Sequence, residues 1–108
     1  MSDLEKFGWV RQPQECEGDY FFNGTCYATK GINEKLPKHE IAIIINDLFD
    51  FISEQSGVDY LQIYIRQYDQ LKIYVIDQLS KSMMESGDYT PEDINEYNYF
   101  TILLPSEY

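Results

Sequence analysis

Apolar and polar positions follow three rhythms along this 108-residue chain, and each rhythm predicts an element. Residues 37–55, PKHEIAIIINDLFDFISEQ, repeat every three to four positions. Ile41, Ile44, Ile45, Leu48 and Ile52 share one face at the spacing of an amphipathic helix. Glu40, Asp47, Asp50 and Glu54 gather on the opposite face, with Ile43 among them and Phe51 at their edge. Ser56-Gly57 reads as the helix stop. Beyond it the rhythm changes to two. VDYLQIYIRQY sets Leu61, Ile63 and Ile65 against Tyr60, Gln62, Tyr64 and Arg66, and LKIYVID sets Leu71, Ile73 and Val75 against Lys72, Tyr74 and Ile76. With a short link over 67–70, these two stretches predict a hairpin whose Leu/Ile/Val sides pack on the helix.

The third rhythm is short apolar runs broken by turn residues. In DYFFNGTCYATKG the Asn-Gly pair predicts another hairpin, with strands near 19–22 and 25–30 and a connection over 31–36. Residues 78–88 fit a short helix or a loop. Thr90-Pro91-Glu92-Asp93 supplies a cap, a proline at the first helical position and first-turn acids, so a short helix is expected through about Tyr97. YFTILLP then has strand propensity throughout. The fold class that follows is α+β, a two-layer domain with a mostly antiparallel sheet packed on one main amphipathic helix, plus a short second helix. The expected organisation is an N-terminal arm over 1–18, anchored by Phe7, Trp9 and Val10, and a single domain over 19–108.

Charge changes the picture more than composition does. Nineteen acidic residues against eight Lys and Arg give a formal charge of −11. Such a field repels free nucleic acid and anionic membrane and attracts basic surfaces. No apolar run approaches a membrane span and the N-terminus lacks a signal-peptide centre, so a cytoplasmic chain with reduced thiols at Cys16 and Cys26 is expected. If Asn23-Gly24 closes a hairpin, Cys26 lies opposite Phe21 and far from Cys16, which disfavours a disulfide.

Catalytic chemistry finds few candidates. His39, the only histidine, sits at the start of the main helix beside Glu40 with no nucleophile paired to it, and a helix-terminal surface role is expected. Neither cysteine has an activating context. The glycines are scattered turn formers without a phosphate-binding fingerprint. Acid pairs such as Asp47 with Asp50 lack the oxygen-rich loop of a calcium site. The sequence therefore implies no enzyme, cofactor or metal.

The run FFNGTCYATKGINEKLP, the helix after it, DYLQIY, KIYVID and the closing LLPSEY together resemble a family of small Gram-positive bacterial and phage proteins, domain of unknown function 960. The resemblance covers about residues 21–108. It departs from the family in residues 1–20 and in the acidic stretch TPEDINEYN. What it implies is a setting in phage or mobile DNA, with no activity or functional residues attached.

Two surfaces remain. The helix acids Glu40, Asp47, Asp50 and Glu54 recur every one or two turns, with no Lys or Arg between residues 40 and 64, and Ile43 stands among them as a contact anchor. Glu92, Asp93 and Glu96 add to this in a second stretch, 82–108, that is also free of basic residues. The expectation is a phage or mobile-element inhibitor of a host defence nuclease. As an anti-CRISPR or anti-restriction DNA mimic, it would fill the basic nucleic-acid groove of a CRISPR effector or restriction enzyme with carboxylates. The alternative uses Tyr60, Tyr64 and Tyr74 on the sheet face opposite the helix, as a regulatory or scaffold module that forms a homodimer or docks another protein.

Overall fold

Over the described residues 3–108 of the computed structural model, the chain begins with α1 (Asp3–Lys6), β1 (Trp9–Arg11), β2 (Thr25–Ala28) and α2 (Lys30–Lys35). The long helix α3 (Lys38–Gln55) follows, then β3 (Leu61–Arg66) and β4 (Leu71–Asp77). The last part contains α4 (Lys81–Glu85), α5 (Pro91–Tyr97), β5 (Tyr99–Leu103) and a closing 3-10 turn, Pro105–Glu107. The strands form one sheet in the order β1-β3-β4-β5-β2, antiparallel except where β2 runs parallel to β5. This is the α+β architecture expected from the rhythms.

The α3 boundaries follow from local chemistry. Pro37 occupies the N-cap in an extended conformation, so the helix opens one residue after the pattern does. At the other end Ser56 turns left-handed, Gly57 follows at φ 110°, and both N–H groups return to the Ile52 carbonyl. Ile44, Leu48 and Ile52 are buried in one core with Tyr64, Ile73, Val75, Phe100 and Ile102 from the sheet. Each such side chain contributes on the order of 2 kcal/mol on leaving water.

Strand β3 is the reverse of the expected phase. Gln62, Tyr64 and Arg66 point to the helix, opposite Val75, Ile73 and Leu71, while Leu61, Ile63 and Ile65 take the outer face. The inward polar groups are held by partners from elsewhere in the chain. Gln62 donates to the Gln14 side chain and the Asp59 carbonyl, the Tyr64 hydroxyl donates to Asp47, and Arg66 pairs with Glu40. Most of these inward polar atoms are satisfied, the Gln62 side-chain oxygen being the exception, so hydropathy alone could not set the phase of the strand.

The Asn-Gly hairpin does not form. Tyr20 bridges Val58 instead, Phe22 is buried at φ 49° with its N–H on the Asp77 carboxylate (2.9 Å), and residues 25–28 run parallel beside β5. Gly24 serves close approach, not a tight turn: a Cβ there would lie 2.0 Å from the Asn98 carbonyl oxygen. Cys26 accordingly faces Phe100 across the ladder, and both cysteines are free and exposed.

The segment expected as an arm contributes to the sheet and core. Trp9–Arg11 pairs with β3, and Trp9 is fully buried, whereas Phe7 and Val10 are exposed. The 31–36 connection contains α2, which Thr29 caps by accepting from the Ile32 N–H. Stretches far apart in the chain also meet in space. The Thr29 hydroxyl donates to Glu107 (2.7 Å), whose carboxylate fills the space beside Gly31, and Asp77 holds the Phe22 and Gln78 N–H groups.

Candidate interaction surfaces

The acidic stripe on α3 divides into two halves with different roles. Glu40 is only 6% exposed: its carboxylate accepts from the Trp9 indole N–H at 2.9 Å and from the Arg66 guanidinium at 3.3 Å. Arg66 also reaches Asp69 at 2.8 Å, and its guanidinium lies 4.8 Å from the Tyr68 ring. One turn pair further on, Asp47 accepts from Tyr64 (2.8 Å) and from Arg11 (2.5 Å), and the Arg11 guanidinium stacks 3.9 Å over Phe51. These two ion pairs tie the helix to β1 and β3. The cations that pair with Glu40 and Asp47 come from β3 and β1, so nothing in the helix sequence itself signals them.

Burial, and then the charge of Asp47, push the Tyr64 phenol well above its ordinary value of 10.0. A phenol raised in the folded state adds stability that is complete below the unfolded value and is lost as pH climbs toward the folded one. In urea titrations, Tyr64→Phe is expected to cost about 2 kcal/mol near neutral pH, the worth of a hydrogen bond to a charged acceptor. The gap to wild type should narrow above pH 10.0, since only the wild-type chain loses this contribution there. A gap constant into strong alkali would show that Tyr64 is not buried against Asp47.

The remaining acids of the stripe are exposed. Asp50 and Glu54 form no ion pair among the described residues, while Ile43 is partly buried against the core and not a free anchor. On α5, Asp93 is engaged in a capping box with Thr90, each accepting from the other's backbone N–H at 3.1 Å. Glu92 and Glu96 are exposed.

The tyrosines also divide. Tyr64 lies beneath the helix, fully buried, so it cannot serve on the open face. Tyr60 precedes β3 and packs against the Tyr20 ring at 6.1 Å. Tyr68, 69% exposed, lies in the β3–β4 turn. Tyr74 does stand on the outer sheet face, edge-on to Tyr108 at 5.8 Å.

Register identifies the rest of that face. Val10 of β1 lies opposite Ile65; Leu61 and Ile63 of β3 lie opposite Ile76 and Tyr74 of β4. Thr101 and Leu103 of β5 continue the row, and Thr25 and Tyr27 of β2 close it beside Tyr99, with the Tyr27 and Tyr99 rings edge-to-face at 5.4 Å. Among the paired strand positions of this face the charged member is Lys72, opposite Ile65, while Glu15 and Asp59 border a small hollow with Leu61 and Ile63. Apart from Leu103 these side chains keep part of their surface in water, and α3 covers only the other side. At the Tyr99 end, Tyr89 and Tyr97 with Leu79 and Met83 border a shallow hollow of about 310 Å³. Sequence alternation placed Tyr74 and Ile76 here correctly but put Leu61, Ile63 and Ile65 in the core.

His39 is exposed and packs against the Phe7 ring at 5.3 Å. Among the described residues no group of three or more His, Cys, Asp or Glu is placed to hold a metal, and no helix is long and apolar enough to cross a membrane. No family model, curated protein or solved structure matches the chain.

Proposed function

We propose that the chain is a non-catalytic protein-interaction module that makes its contact through the outer face of the sheet. The observation that carries this reading is the contrast between the paired strand positions of that face, where Lys72 is the charged member and the carboxylates of Glu15 and Asp59 stand only at the end with Leu61 and Ile63, and a chain of formal charge −11. Side chains such as Ile63, Ile65 and Tyr74 on an uncovered sheet need a partner to leave water fully, and tyrosine combines large contact area with low entropic cost.

A second reading, an inhibitor that fills a basic nucleic-acid groove of a CRISPR effector or restriction enzyme, draws on the exposed Asp50, Glu54, Glu92 and Glu96. It has to do without Glu40 and Asp47, which are committed to Arg66 and Arg11. Site-specific photo-crosslinking in the native host separates the two. A benzophenone amino acid replacing Ile63 should give a discrete protein adduct, and the same group replacing Glu92 should give none. Adducts at Glu92 alone would overturn the sheet-face reading in favour of the acidic one.

A further inference from the structure

We infer that the tyrosine-lined hollow beside Tyr99 is a binding site for a quaternary ammonium group, the trimethylammonium head of choline or of a methylated lysine. One stretch of the chain builds it: Gln78 and Leu79 after β4, Met83 on α4, Tyr89 before α5, Tyr97 at the end of α5 and Tyr99 at the start of β5. Binding there needs no occupant on the sheet face, so the two contacts stand or fall separately.

The lining selects the guest. Three phenol rings, a thioether, the buried Leu79 and the Gln78 amide surround a space of about 310 Å³, and none of these side chains is charged. Rings attract a cation that comes within about 6 Å of their centroids. A bare ammonium or a metal ion holds its water tightly and exchanges it for oxygen ligands, yet the lining offers no carboxylate. A quaternary ammonium is weakly hydrated and spreads its charge over methyl groups, so rings and a thioether suffice as its shell.

The surroundings add the charge that the lining lacks. Residues 77–99 contain six acids and one cation, Lys81, which pairs with Glu85 at 3.9 Å. Behind the hollow the Tyr20 hydroxyl donates to the Met83 sulfur at 3.8 Å. Burial, and then the charges of Asp19, Asp77 and Asp59, raise that phenol above its ordinary value, which marks a negative potential at this wall. A cation is concentrated there and an anionic amphiphile is repelled.

The walls are set before a guest arrives. Ser80 caps α4 by accepting from the Met83 N–H at 3.1 Å, and the Lys81 and Ser82 N–H groups donate to Asp19 at 2.9 and 2.8 Å. The Gln78 N–H donates to the Tyr99 carbonyl at 3.2 Å, and the Tyr99 ring stands edge-to-face with Tyr27. Little ordering is left to oppose binding.

Proton NMR titration of the full chain with choline, at ionic strength held constant with sodium chloride, tests the site. The ring signals of Tyr89, Tyr97 and Tyr99 and the Met83 methyl should shift and saturate, with a dissociation constant on the order of a few millimolar. The neutral analogue with a tert-butyl group in place of trimethylammonium, and the unmethylated ethanolamine, should each bind about tenfold more weakly. Tyr97 is 48% exposed, so Tyr97→Leu should fold normally and weaken choline about fivefold or more, while Tyr97→Phe, which keeps the ring, should stay within about twofold. A short peptide carrying trimethyllysine, set against the same peptide with lysine, separates the sources: tighter binding than choline places the group on a partner's side chain, and equal or weaker binding on a free solute. Equal binding of the tert-butyl analogue would make the hollow an apolar groove, and equal binding of ethanolamine would reduce the effect to the general field; either overturns the inference. So would a titration that fails to saturate by about 100 mM choline, or a Tyr97→Leu chain of unchanged affinity.

Discussion

Glu40→Ala is expected to lower the unfolding free energy by about 3–5 kcal/mol, the cost of leaving a buried partner charge unpaired. The variant strands two groups at once: the Arg66 guanidinium, whose side chain is 11% exposed, and the indole N–H of a fully buried Trp9. Asp69 still holds one side of Arg66, so Glu40→Gln, which keeps an acceptor for Trp9, should lose less. Glu54→Ala on the exposed half of the helix should stay within about 0.5 kcal/mol of wild type. Urea midpoints at unchanged slope measure all three. A Glu40→Ala chain as stable as wild type would mean that the helix is not tied to β1 and β3 through this carboxylate. Charge reversal at Glu40 or Asp47 is consequently a fold-breaking change, and loss of binding in such variants would say nothing about a contact surface.

Gly24→Ala has the second large expected effect. The new Cβ would meet the Asn98 backbone, with the carbonyl oxygen at 2.0 Å and its carbon at 2.5 Å, and neither can rotate away as a side chain would. The parallel β2–β5 pairing, in which Thr25 N–H donates to that same Asn98 carbonyl, has to open or shift. A cost of about 3 kcal/mol, at the upper end for overpacking, is expected. Gly87→Ala is the matched comparison. Its φ of +85° strains an alanine, but nothing lies within 4 Å, so only the ~1 kcal/mol backbone penalty should appear. Hydrogen exchange should locate the Gly24 effect in β2 and the start of β5. Equal losses at the two glycines would argue against the close crossing at Asn98.

The parts of this fold that were legible in the sequence are those determined by near neighbours. The 3.6-residue stripe of α3, its Ser56-Gly57 stop, the Thr90-Pro91 start of α5 and the inward Ile73 and Val75 each follow from a few adjacent positions. What misled are residues whose surroundings arrive from far along the chain. Glu40 and Asp47 look like solvated acids until Arg66 and Arg11 come in from strands. Tyr64 looks like an outward residue until Asp47 accepts a hydrogen bond from its hydroxyl. Asn23-Gly24 carries the composition of a two-residue turn, but the glycine is required by a carbonyl more than seventy positions away. The phase of β3 follows from the same cause. Hydropathy favours Leu61, Ile63 and Ile65 for the inward side, and the distant partners of Gln62, Tyr64 and Arg66 hold the more polar side there instead.

The burial of Trp9 has an optical consequence. It is the chain's single tryptophan, it sits on a three-residue strand at the margin of the sheet, and it hydrogen-bonds the helix through Glu40. Long-wavelength excitation, which bypasses the ten tyrosines, therefore monitors the peeling of one margin, while the far-UV ellipticity follows the whole sheet and helix. Were the margin to loosen before the rest gives way, the emission would redshift at lower denaturant than the ellipticity falls, and the separation of the two curves would measure how firmly the first strand is sewn on.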